Sequence, residues 1–131
     1  MLTDDEFLRA FESATLPADQ FDHTAHVRAG WCYLQRYPLG ESIDRFSRAL
    51  RSFATANGAT RKYHETMTVA WMLLIAERLS ASSELDWPSF AALHSELFAK
   101  PSLLSRYYSS ATLDSERARV GFVMPSVPGG P

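Results

Sequence analysis

Three of the four histidines occur in two short clusters of the chain. His23 and His26 are three residues apart in the first cluster, and His64 stands in the second, Lys-Tyr-His-Glu-Thr. Residues three apart share one face of a helix, so the first two imidazoles are expected to be neighbours. Imidazole exchanges protons near neutral pH and binds zinc, iron, nickel or copper. The two clusters therefore predict either a metal site or an acid–base site, provided that the fold brings them together.

Apolar spacing and capping signals predict an all-α chain with five main helices, and no segment alternates as a strand does. The first predicted helix runs from about Asp4 to Ala14, and the second from a cap at Asp19 or Asp22 to Tyr37-Pro38. The third carries the apolar seam Ile43, Phe46, Leu50 and Phe53 and ends at Asn57-Gly58. The fourth begins at a cap at Thr60 and carries an apolar stripe from His64 to Leu79, and the fifth runs from Asp86 to Lys100-Pro101. Short helical pieces are expected over 103–108 and 114–120. The pattern predicts a single up-down helical bundle with a short helical C-terminal segment.

The predicted loops between helices two, three and four are only a few residues long, which makes consecutive helices antiparallel neighbours. Helices two and four are then parallel, and both histidine clusters lie near their N-terminal ends. Helix five runs the opposite way, so Tyr107 and Tyr108 behind it return to that same end. We therefore expect His23, His26 and His64 to point inward around one pocket that also holds tyrosine side chains.

Two cations, Arg61 and Lys62, fall in the predicted first turn of helix four, where the helix dipole favours negative charge. A surface pair with Glu65 would offset part of that cost. The functional alternative is that a carboxylate or phosphate group of a substrate binds here and contacts Arg61, Lys62 or the C-terminal Arg117 and Arg119. Trp71, on the inward stripe of the same helix, is predicted to contact the substrate as well.

The composition describes one domain and excludes several classes of protein. The chain has 131 residues, a formal charge of -2 and a single cysteine, Cys32. One cysteine excludes a disulfide scaffold and a thiolate zinc site, and the near-neutral charge lacks the basic surface that nucleic-acid binding requires. The acidic start and the lack of a long apolar run predict a cytoplasmic protein without a membrane span. We expect one domain over residues 1–124 and a flexible tail over residues 125–131.

The motif Phe-x-His-x-x-His from Phe21, the motif Lys-Tyr-His-x-Thr-x-Thr over 62–68, and the later Tyr-Tyr-Ser and Ala118-Arg119 resemble a family of small all-helical bacterial proteins. The resemblance extends from about Phe21 to Val123 and implies no particular activity. More broadly, a small bundle with three inward histidines is similar to the DinB-like metal-binding bundles, some of which are thiol-dependent transferases or isomerases. That similarity implies a metal-binding histidine pocket.

Three functions are compatible with these residues. The first, which we favour, is an enzyme that acts on a small anionic substrate with one divalent transition metal held by His23, His26 and His64. The second is a metal-free isomerase, dehydratase or cyclase in which His64 or His26 is the acid–base group and Tyr63 or Tyr108 its partner. The third is a non-catalytic module that binds a small ligand or a protein partner.

Overall fold

A computed structural model describes residues 2–82 and 84–125, and this part of the chain is all-α, as the sequence predicts. Its seven α-helices are α1 (Asp4–Glu12), α2 (His23–Arg36), α3 (Leu39–Ala56), α4 (Glu65–Ser80), α5 (Trp87–Leu93), α6 (Ser110–Leu113) and α7 (Glu116–Val120). Short 3₁₀ turns occur at Ala18–Gln20, Thr60–Lys62, Ser95–Phe98 and Leu103–Arg106. Among the described residues no helix is long and apolar enough to cross a bilayer. Residues 126–131 of the predicted tail lie outside the described part.

The core is built on α2, α3 and α4 because each presents apolar residues at helical spacing. On α3, Phe46 and Phe53 of the predicted seam are buried, and both contact Phe11 of α1 with ring centroids 6.0 and 5.5 Å apart. Helix α4 is buried on most sides, as its sequence indicates, and only Leu73 among its large apolar residues is exposed. The core therefore surrounds α4.

Several helix ends follow the predicted capping signals. Thr3 and Glu6 form the capping box of α1, and the Asp22 carboxylate accepts a hydrogen bond from the Ala25 N–H at 2.9 Å at the start of α2. Asp86 caps α5 in the same way. Gly58, which follows the last residue of α3 and its cap, has a φ of 67°, a left-handed conformation that favours glycine.

The predicted start of α4 at Thr60 is wrong. Residues Thr60–Lys62 form a separate 3₁₀ turn, and α4 begins at Glu65 with His64 as its N-cap residue. The His64 Nδ1 atom accepts the Met67 N–H at 3.0 Å and so caps the helix, whereas the Thr60 hydroxyl donates to the Thr55 hydroxyl at 3.5 Å. Arg61 and Lys62 consequently stand before the helix rather than in its first turn.

The predicted extent of helix five is also wrong. Helix α5 ends at Leu93, because His94 leaves the helical region with φ −112° and ψ 52°, and the chain continues as the 3₁₀ turn Ser95–Phe98. The His94 imidazole contacts the Ser82 hydroxyl at 2.9 Å and lies against the Phe90 ring, with centroids 4.7 Å apart. His94 is therefore a packed, hydrogen-bonded residue behind the C-terminal end of α4.

The C-terminal segment is fastened to the first turn of α4. The fully buried Thr66 hydroxyl donates to the Gly121 carbonyl at 2.8 Å and accepts the Val123 N–H at 3.0 Å. The Tyr108 hydroxyl donates to the Val123 carbonyl at 2.6 Å. These three bonds bring the segment to the end of the bundle at which α2 and α4 begin.

Candidate functional site

A cavity of about 410 Å³ lies where the N-terminal ends of α2 and α4 meet the C-terminal end of α3. This volume is within the range of about 300–1,000 Å³ that is usual for small-molecule sites. Apolar and aromatic side chains form most of its wall: Phe21, Leu50, Phe53, Met67 and Trp71. The polar groups on its lining include all three predicted site histidines, together with Lys62 and Tyr63. The topology that makes α2 and α4 parallel thus brings both histidine clusters to one place.

His26 lies on the cavity wall, on the second turn of α2. Its Nδ1 atom is buried and has no hydrogen-bond partner among the described residues. Its ring lies edge-on to Phe46, with centroids 5.1 Å apart, and close to Phe21 at 6.0 Å. Burial, with a smaller contribution from the neighbouring His23, lowers the pKa of the His26 imidazole from 6.5 to about 4. The imidazole is therefore neutral at pH 7.

His23 begins α2 and is more exposed than His26. Its ring lies nearly parallel to that of His26 with centroids 6.4 Å apart, and 4.7 Å from the Trp71 ring. The His23 Nε2 atom is 2.8 Å from the Leu97 carbonyl and donates to it. This bond ties the start of α2 to the 3₁₀ turn after α5 and leaves Nδ1 as the nitrogen with a lone pair.

Both ring nitrogens of His64 are engaged in the fold. Nδ1 accepts the Met67 N–H at 3.0 Å, and Nε2 donates to the Leu113 carbonyl at 2.7 Å. One bond caps α4, and the other holds the last residue of α6 against the start of α4. Although His64 lines the cavity, as the sequence predicts, its hydrogen-bonding capacity is used by the backbone.

The hydrogen bonds decide how well the three histidines suit a metal ion. A ligating imidazole must offer a lone pair, and His64 has none left while it caps α4. Within residues 2–82 and 84–125, no group of three or more histidine, cysteine, aspartate or glutamate side chains is arranged to hold a metal. The residues present thus do not fit the three-histidine site expected from the sequence, and we derive no chemistry through a metal.

The two predicted catalytic tyrosines lie in different places. Tyr63 lines the cavity, but its hydroxyl donates to the Glu65 carboxylate, and burial together with that bond raises the pKa of Tyr63 to about 12. Tyr108 is buried beside the C-terminal segment and does not line the cavity. Burial also raises the pKa of Tyr108 above its usual value. Neither hydroxyl is a ready proton donor or acceptor for a molecule in the cavity.

Of the four predicted substrate-binding residues, two line the cavity and two do not. Lys62 and Trp71 line the cavity. Arg61 and Arg119 do not, because both pair with Glu116 of α7 outside it, at 3.4 Å for Arg61 and 2.8 Å for the Arg119 Nε atom. The expected pairing of Arg61 with Glu65 is not found either.

The last two turns of α3 complete the cavity and were not among the predicted site residues. Leu50, Phe53, Ala54 and Asn57 all line it. The apolar spacing on α3 predicts only that these residues face the interior. The same spacing would occur whether they line a cavity or a filled core. The signal that could have found them is topological, because an antiparallel α3 must end where α2 and α4 begin.

Comparison of the chain with protein-family models, with curated proteins and with solved structures finds no match. The geometry and chemistry of the cavity therefore carry the functional argument.

The cap made by His64 gives a first prediction. The substitution His64→Ala removes both ring hydrogen bonds and is expected to lower the free energy of unfolding by about 2 kcal/mol. His64→Asn, which keeps an N-cap acceptor, is expected to recover about half of that loss. Urea unfolding followed by circular dichroism measures both variants. An alanine variant as stable as the parent would show that His64 is not a structural cap.

The lowered pKa of His26 gives a second prediction. Below pH 6.5 the unfolded chain protonates His26 while the folded chain does not, so stability must fall as the pH drops toward about 4. The expected loss attributable to this residue is up to about 3 kcal/mol. It is measured as the difference between the parent and His26→Gln, which cannot titrate, in urea unfolding at several pH values. Parallel stability profiles for the two proteins would contradict the shift.

Proposed function

We propose that the protein binds a small organic molecule in the histidine-lined cavity and that it does so without a three-histidine metal centre. The observation that carries the proposal is the His26 imidazole on the cavity wall, which is neutral at pH 7 and has no hydrogen-bond partner among the described residues. A bound molecule that hydrogen-bonds to this ring would give the imidazole a partner that the described residues do not supply.

The wall of the cavity indicates the shape of the molecule. Phe21, Phe53 and Trp71 contribute aromatic rings, and Leu50 and Met67 contribute flexible apolar surface. Aromatic side chains pack best against other flat groups in stacked or edge-on contacts. Met67 adapts its shape to a neighbour more readily than a branched residue does. A ligand with a flat apolar body and one polar group matches this lining.

Acid–base catalysis in the same cavity is a second candidate, since His26 lies where a bound molecule would contact it. A general base works best when its pKa lies near the operating pH, and a pKa of about 4 makes His26 a weak base at pH 7. The Tyr63 hydroxyl, already bonded to Glu65, does not supply the complementary acid. Ligand binding is therefore better supported than an isomerase, dehydratase or cyclase, and metal-dependent chemistry would require His64 to release Met67.

The proposal is tested by adding small molecules that could occupy the cavity. Benzoate, benzamide and indole are titrated into the protein and followed by chemical-shift changes of backbone and indole N–H groups, with and without a chelator. We expect shifts at His26 and Trp71 that the chelator does not alter. The variant Leu50→Trp, which places a larger side chain on the cavity wall, is expected to weaken binding by a factor of ten or more.

Leu73→Trp is the matched control, because Leu73 is exposed on α4 and does not line the cavity. It is expected to leave binding unchanged. The proposal fails if none of the three compounds causes saturable shifts around the cavity, or if both tryptophan variants weaken binding equally. Binding that disappears with the chelator and returns with zinc would favour the metal enzyme instead.

A further inference from the structure

Resting on the proposed function, we propose that the molecule in the cavity is a carboxylate with a flat apolar body, held by the Lys62 ammonium at the rim and the Nε2–H of His26 inside. Three features support this: the unpartnered Nδ1 atom of His26, the charges around the cavity and the direction of the two helices that begin there.

The His26 ring presents a donor to the cavity rather than an acceptor. Its Nδ1 atom is buried without a partner. A proton on Nδ1 would leave a buried N–H without an acceptor, which is rarer in proteins than an unused acceptor. The neutral ring therefore carries its proton on Nε2, at the far side of the imidazole. A ligand that satisfies this group must offer an oxygen or nitrogen lone pair.

Lys62 is the cation on the cavity lining, and it forms no salt bridge within residues 2–82 and 84–125. Two carboxylates of this region accept other hydrogen bonds. Asp22 also lines the cavity, but its side chain accepts the Ala25 N–H. Glu65 accepts the Tyr63 hydroxyl and pairs with Arg51 at 3.2 Å. Lys62 is thus left without an anionic partner on the described part of the chain.

The N-terminal ends of two helices also favour an anion in the cavity. Helix α2, of 14 residues, begins at His23, and helix α4, of 16 residues, follows its N-cap residue His64; both histidines line the cavity. A helix carries partial positive charge at its N-terminal end. Both ends contribute a field that favours an anion in the cavity. Together with one ammonium group and one imidazole N–H, this field favours an anionic acceptor, and the largely apolar, aromatic wall favours a carboxylate on a flat body.

Benzoate and benzamide test the charge directly because they have the same shape and differ in charge. We expect the parent protein to bind benzoate about tenfold more tightly than benzamide at low salt, since hydrogen bonds to a charged group are stronger than neutral ones. The preference should shrink with added sodium chloride, because Lys62 is exposed. In Lys62→Met, which keeps most of the length of the side chain and removes its charge, most of the preference should disappear while benzamide binding is retained.

Arg61→Met is the matched control, because Arg61 is the neighbouring cation and pairs with Glu116 outside the cavity. It is expected to keep the tenfold preference. Equal affinity for benzoate and benzamide in the parent would overturn the carboxylate assignment while leaving small-molecule binding intact. Absence of binding by either compound would overturn both proposals. If both methionine variants lose the preference for benzoate equally, the preference comes from general surface charge and the role of Lys62 is rejected.

Discussion

The close approach of two parallel helices, α2 and α4, is the constraint on which the site depends. A Cβ atom added to Gly30 of α2 would lie 2.8 Å from the Met72 sulfur and 3.2 Å from the Ile75 Cδ1 atom of α4. Any larger residue would therefore force the helices apart or displace two core side chains. Because α3 connects them in the opposite direction, their N-terminal ends meet at one end of the bundle. The cavity, the two histidine clusters and the docked C-terminal segment all belong to that end.

Within the cavity the histidines have distinct tasks that follow from their hydrogen bonds. His64 holds the start of α4 and the Leu113 carbonyl, and His23 holds the turn after α5 through the Leu97 carbonyl. His26 alone among the three keeps its ring without a partner on the described chain. Structural use of two imidazoles thus leaves the third without a partner on the described chain, and the proposed ligand site depends on that third ring.

The fold and the location of the site could be predicted from the sequence because both rest on strong local signals. Helical spacing, the caps at Asp22 and Asp86, and short loops are sufficient to place the histidine clusters together. The role of His64 could not be predicted, because a histidine as N-cap residue is not distinguished by spacing from a histidine one turn inside a helix. The choice of Glu116 as the partner of Arg61 depends on where α7 docks, and that contact is 55 residues distant in sequence.

The central claim is that His26 is neutral and available while His64 is bonded at both ring nitrogens. Long-range nitrogen–proton correlation spectra of protein labelled with ¹⁵N-histidine measure this directly, with each signal assigned by the His26→Gln and His64→Asn variants. At pH 6 the account predicts that the His26 ring is neutral with its proton on Nε2, and that addition of benzoate shifts the nitrogens of His26 but not those of His64. A His26 ring that is protonated at pH 6, or a benzoate response confined to His64, would contradict it.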